Sequence, residues 1–331
     1  MIEQPLRLSP ALALLALVTA LLLSGCGTDE RTSARPAARA IAGTWTEGPS
    51  LLEARAEIVA TVLDGQIYTG GGFDAAGRDL GSFEVLNPAV GAWEARAPAP
   101  LALNHLGIAA AGGQIFLSGG TLSVGGRGQI SNAFFAYDPA TDRWTRLADM
   151  PLRRSAHVMV AVGDSLFVIG GVGEEPRVML EYALGTGTWQ RRAPLPAERE
   201  HLSAAVVEGR IYVIGGRWGG RGNLTTVEVY DPATDTWEGR APLPTSRGGL
   251  TAAAVDGRIH VVGGEGFDPT RTFEEHEIYT PATDSWESAP PLPAARHGLA
   301  SVGLDGRFWV IGGGRIAGLS VSNLVEVFTP E

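Results

Sequence analysis

The chain has 331 residues, 44% of them hydrophobic, enough for a sizeable core in one large domain or two. Its 26 basic residues face 36 acidic ones, and the net charge of −10 opposes non-specific binding to nucleic acid or to an anionic membrane surface, so neither is expected as a partner. The single cysteine excludes an internal disulfide and a cysteine-based zinc site.

Residues 11–23 form an apolar stretch of 13, too short to span a bilayer as a mature helix and of the length of a signal-peptide core. Leu23-Ser24-Gly25-Cys26 follows at once and resembles the lipobox of bacterial lipoproteins. The resemblance implies cleavage before Cys26 and a diacylglycerol on its thiol. Residues 1–25 then read as signal peptide, and residues 26–42, polar and without periodicity, as the lipidated cysteine and a flexible tether. Gly27, not aspartate, follows the cysteine. By the same resemblance the expected location is the cell envelope: the outer membrane of a Gram-negative cell, otherwise the outer face of the plasma membrane.

From residue 43 onward a repeat takes over. Six times a tryptophan precedes a glycine pair by 26 residues: Trp45 to Gly71-Gly72, Trp93 to Gly119-Gly120, Trp144 to Gly170-Gly171, Trp189 to Gly215-Gly216, Trp237 to Gly263-Gly264 and Trp286 to Gly312-Gly313. The return interval varies from 19 to 25 residues, so insertions collect in one half of the unit. A period of 45 to 51 residues belongs to propeller-type arrays, whose units bury their faces only against neighbours. In the fourth unit, residues 202–207, 211–214, 226–230 and a run opening at Trp237 predict four short antiparallel strands separated by turn residues.

The runs DGRIHVVGG from Asp256, VEVYDPATDTW from Val227 and APLP from Ala241 resemble kelch repeats. Tyr137, Tyr182, Tyr230 and Tyr279 each stand seven residues before their tryptophan, with Leu86 in the first unit, and the resemblance covers residues 43–331. It implies an all-β, six-bladed propeller with four antiparallel strands per blade. The last unit reaches Glu331 before any tryptophan, while Trp45 has no blade before it. The N-terminal strand is therefore expected to complete the C-terminal blade, with Trp45 beside Phe328.

In such a blade the turns between strands one and two and between three and four share one rim. The two-to-three and four-to-one connections share the other, and these are long and individual: residues 121–132, 217–223, 265–275 and 315–323. A ligand site is expected there. Sixteen residues before the glycine pairs stand Arg55, Arg154, Arg199, Arg247 and Arg296, with Leu103 in the remaining unit. Facing a shared funnel, five guanidiniums would suit an anion such as a carboxylate; equally, they could be internal ion pairs of the repeat. His105 and His201 lie two places beyond this column, His157 three and His297 one, a mixed parity that argues against a three-histidine metal site in extended strands. No metal or other cofactor is expected. The copper-radical oxidases on kelch-like propellers need a tyrosine cross-linked to a cysteine, which Cys26 does not supply. Arg217 and Trp218, side by side in a glycine-rich rim loop, offer a cation and a flat apolar platform.

Three functions follow from these residues. The first is a monomeric, lipid-anchored, non-catalytic propeller that binds a protein, a peptide or an acidic glycan through the loop rim. The second resembles the kelch-fold N-acetylneuraminate epimerases; there Arg199 and Arg247 would hold a sugar carboxylate, and Glu57, His105 or His201 would move the proton. The third is a structural part in envelope assembly, marked by an apolar patch on the rim loops.

Overall fold

The computed structural model describes residues 40–124, 127–219 and 222–331. Cys26 and the expected signal peptide and tether up to residue 39 lie outside the described residues. The described residues form six antiparallel sheets, the blades of a closed ring, each built on four strands, with the short strand Thr270–Thr272 adding a fifth in blade 5. The fourth unit is representative, with strands Ser203–Val207, Arg210–Ile214, Val227–Asp231 and Thr236–Gly239. Blade 6 is completed as the sequence predicts: Gly43–Glu47 pairs with Val325–Pro330, and Trp45 stands opposite Phe328.

The repeated residues are the fasteners between blades. Each repeat tryptophan donates its indole N–H to a carbonyl in the connection leaving the previous blade: Trp93 to Pro49, Trp144 to Ala97, Trp189 to Ala148, Trp237 to Ala193, Trp286 to Ala241 and Trp45 to Pro290. Asp142, Asp235 and Asp284 sit in the three-to-four turns. Each accepts a tyrosine hydroxyl at 2.6 Å from its own blade and the backbone N–H of residue 97, 193 or 241 of the blade before. The core is accordingly layered between blades, as where Tyr212 and Val229 of blade 4 pack on Val261 and Tyr279 of blade 5.

The glycine pairs lie at positive φ and end the second strands, except in blade 5, whose strand Arg258–Phe267 runs on through Gly263-Gly264. Gly72 (φ 86°) donates its N–H to the Leu103 carbonyl, and a Cβ there would collide with the Ala56 carbonyl. Only glycine accepts both the φ and the approach. This fixes the height of the connection entering each inner strand, where the candidate residues lie.

Candidate functional site

The arginine column does not face the funnel. Arg55, Arg154, Arg199, Arg247 and Arg296 are all 0% exposed and among the most deeply buried large side chains of the protein. Arg55, Arg199 and Arg247 reach Glu84, Glu228 and Glu277 of the third strand at 2.7, 2.6 and 2.6 Å, and Arg296 pairs with Glu326. Blade 3 carries Leu180 in place of the glutamate, and Arg154 donates instead to the Glu175 and Val178 carbonyls. Burial pulls these guanidiniums down, to about 10 for Arg154, against the attraction of nearby carboxylates. The expectation that they bind an external anion is corrected in favour of the alternative, contacts internal to the repeat: a guanidinium 0% exposed inside its own blade is out of a ligand's reach, even where a nitrogen such as Arg154 Nη1 or Arg199 Nε has no partner. The signal that identifies the pairing is in the sequence. Glutamate stands two residues before the tyrosine column in the four blades with an Arg–Glu pair, and the one blade with Leu103 has Phe135 there.

Two residues beyond the arginine column the chain reaches the axis. Glu57, His105, Ala156, His201, Gly249 and Gly298 occupy equivalent places in the six blades, and all six are left-handed, with φ between 50° and 67°. Each donates its backbone N–H to the carbonyl of the preceding member: Glu57 to Gly298, His105 to Glu57, Ala156 to His105, His201 to Ala156, Gly249 to His201 and Gly298 to Gly249, at 2.7 to 3.3 Å. This closed ring of six peptide hydrogen bonds encircles the loop-rim end of the axis. Below it runs a cavity of about 160 Å³ lined by the inner strands.

Because the ring is left-handed, side-chain direction here does not follow strand parity, and three side chains converge. Glu57 Oε2 lies 3.3 Å from His105 Nε2 and 3.9 Å from His201 Nε2, and the two imidazole centroids are 4.8 Å apart. One donor atom from each of these residues falls within 4.8 Å of the others, a grouping able to hold a metal ion. On the far side, His105 Nδ1 bonds to Asn104 Oδ1, while His201 Nδ1 lies against the Glu200 carboxylate without a hydrogen bond. His297 Nδ1 faces Glu57 and Glu265 at 3.6 and 3.4 Å, while His157 turns away to Ser118 Oγ at 2.9 Å. Of the four histidines singled out by sequence, two therefore share the axis with a carboxylate.

The electrostatics are those of an ionised carboxylate among histidines. Burial alone would push the Glu57 carboxyl up, but the facing His105, His297 and His201 outweigh it and hold it below the ordinary range. Burial pushes the His201 imidazole down to about 3 in spite of Glu57. His297 moves upward, because Glu57 and Glu265 overcome its desolvation.

Arg217 connects this centre to a second site. Its Nε donates to Glu200 at 3.0 Å and its Nη1 to Glu265 at 2.6 Å, bridging the loops of blades 4 and 5. Its guanidinium also lies 5.4 Å from the Phe267 ring centroid. Between these loops opens a pocket of about 600 Å³ walled by Trp218, Phe267, Phe273, Arg217 and Arg271. Arg217 and Trp218 thus lie on the rim where sequence places them; Phe267, 56% exposed, and Phe273 come from a loop that sequence marks only by its length.

Known proteins share this architecture. A family profile described as the KLHDC2/KLHL20/DRC7 Kelch-repeats domain matches residues 107–313, and one for the Kelch motif matches residues 54–100. Kelch-like protein 35 of Mus musculus is 29% identical over 126 residues, 38% of this chain and 21% of that protein. Kelch-like protein terF of Aspergillus terreus is 30% identical over 164 residues, 46% of this chain and 35% of that protein. Beta-scruin of Limulus polyphemus is 28% identical over 114 residues, 34% of this chain and 12% of that protein. The matches thus span about a third or less of these curated relatives. The solved structure of YjhT superposes with a TM-score of 0.75 over 86% of this chain and 99% of that one at 16% identity, a likeness of fold.

Proposed function

The chain belongs to the kelch-repeat family, and from that premise we propose that it is a lipid-anchored, non-catalytic binding propeller of the cell envelope, engaging a protein or peptide partner, or a glycan, on its loop rim. The observation that carries this reading is the apolar character of that rim. Among the described residues the large hydrophobics left exposed are Leu52, Val90, Phe267, Ile316 and Leu319, and all but Val90 lie in four-to-one or two-to-three connections. Together with the pocket at Trp218 they offer aromatic and aliphatic anchors beside cations, the mixture that protein and glycan interfaces use. The opposite rim consists of tight turns.

Two experiments test the reading. Envelope proteins cross-linked to the full chain in cells should be captured by the wild type and lost in a Trp218→Ala, Phe267→Ala double variant that melts normally; equal capture would move the contact elsewhere. Mass spectrometry of the mature protein should find a diacylglycerol-modified Cys26 at its N-terminus, and Cys26→Ser should release the chain from membranes. An unmodified residue 26 would sink the anchor.

A second reading, acid–base epimerisation of an acidic sugar, has the axial Glu57, His105 and His201 in its favour. The carboxylate anchor first assigned to Arg199 and Arg247 is committed inside the blades, and Arg217 on the loop rim is itself paired with Glu200 and Glu265. Anomer exchange of sialic acid by the purified chain, abolished in Glu57→Gln, is the outcome that would favour it.

A further inference from the structure

We propose that Glu57, His105 and His201 form a site for one divalent first-row transition-metal ion, with zinc as the reference, on the propeller axis at its loop rim. The backbone supplies the first argument. All six ring positions are left-handed, and blades 5 and 6 fill theirs with Gly249 and Gly298, for which that conformation is free of strain. Blades 1, 2 and 4 place a glutamate and two histidines there and blade 3 an alanine, although a Cβ is disfavoured in that conformation. Because Ala156 carries the same strain with no functional atom, it is the convergence of three donor-bearing side chains, and not the strain alone, that points to what they do together. Gly298 contributes by its lack of a Cβ, which would collide with the Glu57 carboxylate.

The donor atoms supply the second argument. Nδ1 of His105 bonds to an amide oxygen and so carries its proton; the orientation of that amide is fixed because Asn104 Nδ2 donates to Asp79. Nδ1 of His201 is turned to the Glu200 carboxylate. The His105 ring therefore directs an Nε2 lone pair at the Glu57 oxygen, which His201 Nε2 also faces. A lone pair facing an anion is repelled unless a cation lies between them. A carboxylate or amide oxygen behind each histidine is also the outer arrangement that orients imidazole ligands on metals.

Distances and access agree. A tetrahedral ion about 2.0–2.1 Å from each donor sets the donors roughly 3.3 Å apart. Glu57 to His105 is already 3.3 Å, and Glu57 to His201, at 3.9 Å, closes by a small rotation of either side chain. The side chains are 11%, 22% and 12% exposed, open to entry from the rim. Two imidazoles and a carboxylate suit zinc and its first-row neighbours, and three protein ligands leave a fourth position for water or a ligand group.

The test uses the full chain, purified in detergent without a polyhistidine tag, stripped with chelator and dialysed against Zn²⁺ or Co²⁺. We expect one ion per chain by elemental analysis, and visible d–d bands from bound Co²⁺. Glu57→Gly, His105→Gly and His201→Gly should each abolish stoichiometric binding. Because the ring already accepts glycine, these variants should fold, which their melting curves check. Asn104→Ala should weaken binding by about 10–100-fold. The remote pair His260→Phe, His276→Val should leave it intact. Absence of stoichiometric binding in the folded wild type would overturn the proposal, as would one ion per chain in all three glycine variants.

Discussion

Arg199 and His201 are two residues apart in the same connection, and the repeat treats them in opposite ways. Arg199 is 0% exposed and its charge is answered within its own blade by Glu228, a partnership repeated in blades 1, 5 and 6. His201 is turned to the axis, where it faces Glu57 of blade 1 as well as its neighbour Glu200, and it occupies a position whose residue type changes around the ring. What a repeat holds in common holds the blade together; what it varies at one position, on one circle, is available for a ligand. Charge alone does not distinguish the two, because both columns are rich in ionisable groups.

The largest expected effect is on the buried column. Arg199→Ala should destabilise the chain by about 3–5 kcal/mol in chemical unfolding, because it leaves Glu228 a buried, unpaired carboxylate. Replacing both partners by the pair blade 2 uses, Arg199→Leu with Glu228→Phe, should recover most of that loss. If Arg199→Ala unfolded like the wild type, the contrast between the columns would fail.

A second test concerns histidines that belong to the frame. His260 and His276 are buried between blades 5 and 6 against Phe308 and Phe328, with His260 Nδ1 3.0 Å from His276 Nε2. Burial pushes His260 down to about 4 and His276 to about 3. Both pKa values lie below the unfolded value of about 6.5, so their contribution is complete above that pH and is lost as pH falls toward the folded values. Stability should drop by roughly 2–4 kcal/mol between pH 6.5 and 4 on their account. The double variant His260→Phe, His276→Val takes the residue types found in the same columns of other blades, and its pH–stability profile should be flatter over that window. An unchanged profile would assign the acid sensitivity to other groups.

The propeller and its closure were legible because the Trp to Gly-Gly interval is rigid: the indole latch and the left-handed glycine turn must keep their separation for neighbouring blades to meet. The arginine column by itself leaves two readings open, an anion-binding funnel and ion pairs internal to the repeat, and the burial of the side chains decides for the second. The counter-charge lay some 30 residues away, as Glu228 from Arg199, and only aligning the units on Tyr230 and its equivalents brings the two into register. The axial trio was hidden for a different reason. Strand parity separates His105 and His201 from nothing, since they share an offset, but it supplies no direction for a left-handed residue. The nearest signal was the column itself, in which Glu, His, Ala, His, Gly and Gly alternate at one position. The pocket at Trp218 needs the loop of blade 5 folded beside that of blade 4, which loop length alone does not predict.

The smallest effect is the one that separates the columns most directly. Replacing His105 with glycine relieves a left-handed side chain, worth about 1–2 kcal/mol, and returns roughly 0.5–1 kcal/mol of freedom to the unfolded chain. The net change in the metal-stripped protein should lie between about zero and +1.5 kcal/mol of stability, the opposite sign to Arg199→Ala. Ala156→Gly, at a ring position with no functional atoms, gives the same backbone change alone, so the two should shift denaturant midpoints alike. If His105→Gly instead lost several kcal/mol while Ala156→Gly gained, His105 would be part of the frame, and the division between a buried column that holds and an axial circle that binds would have to be redrawn.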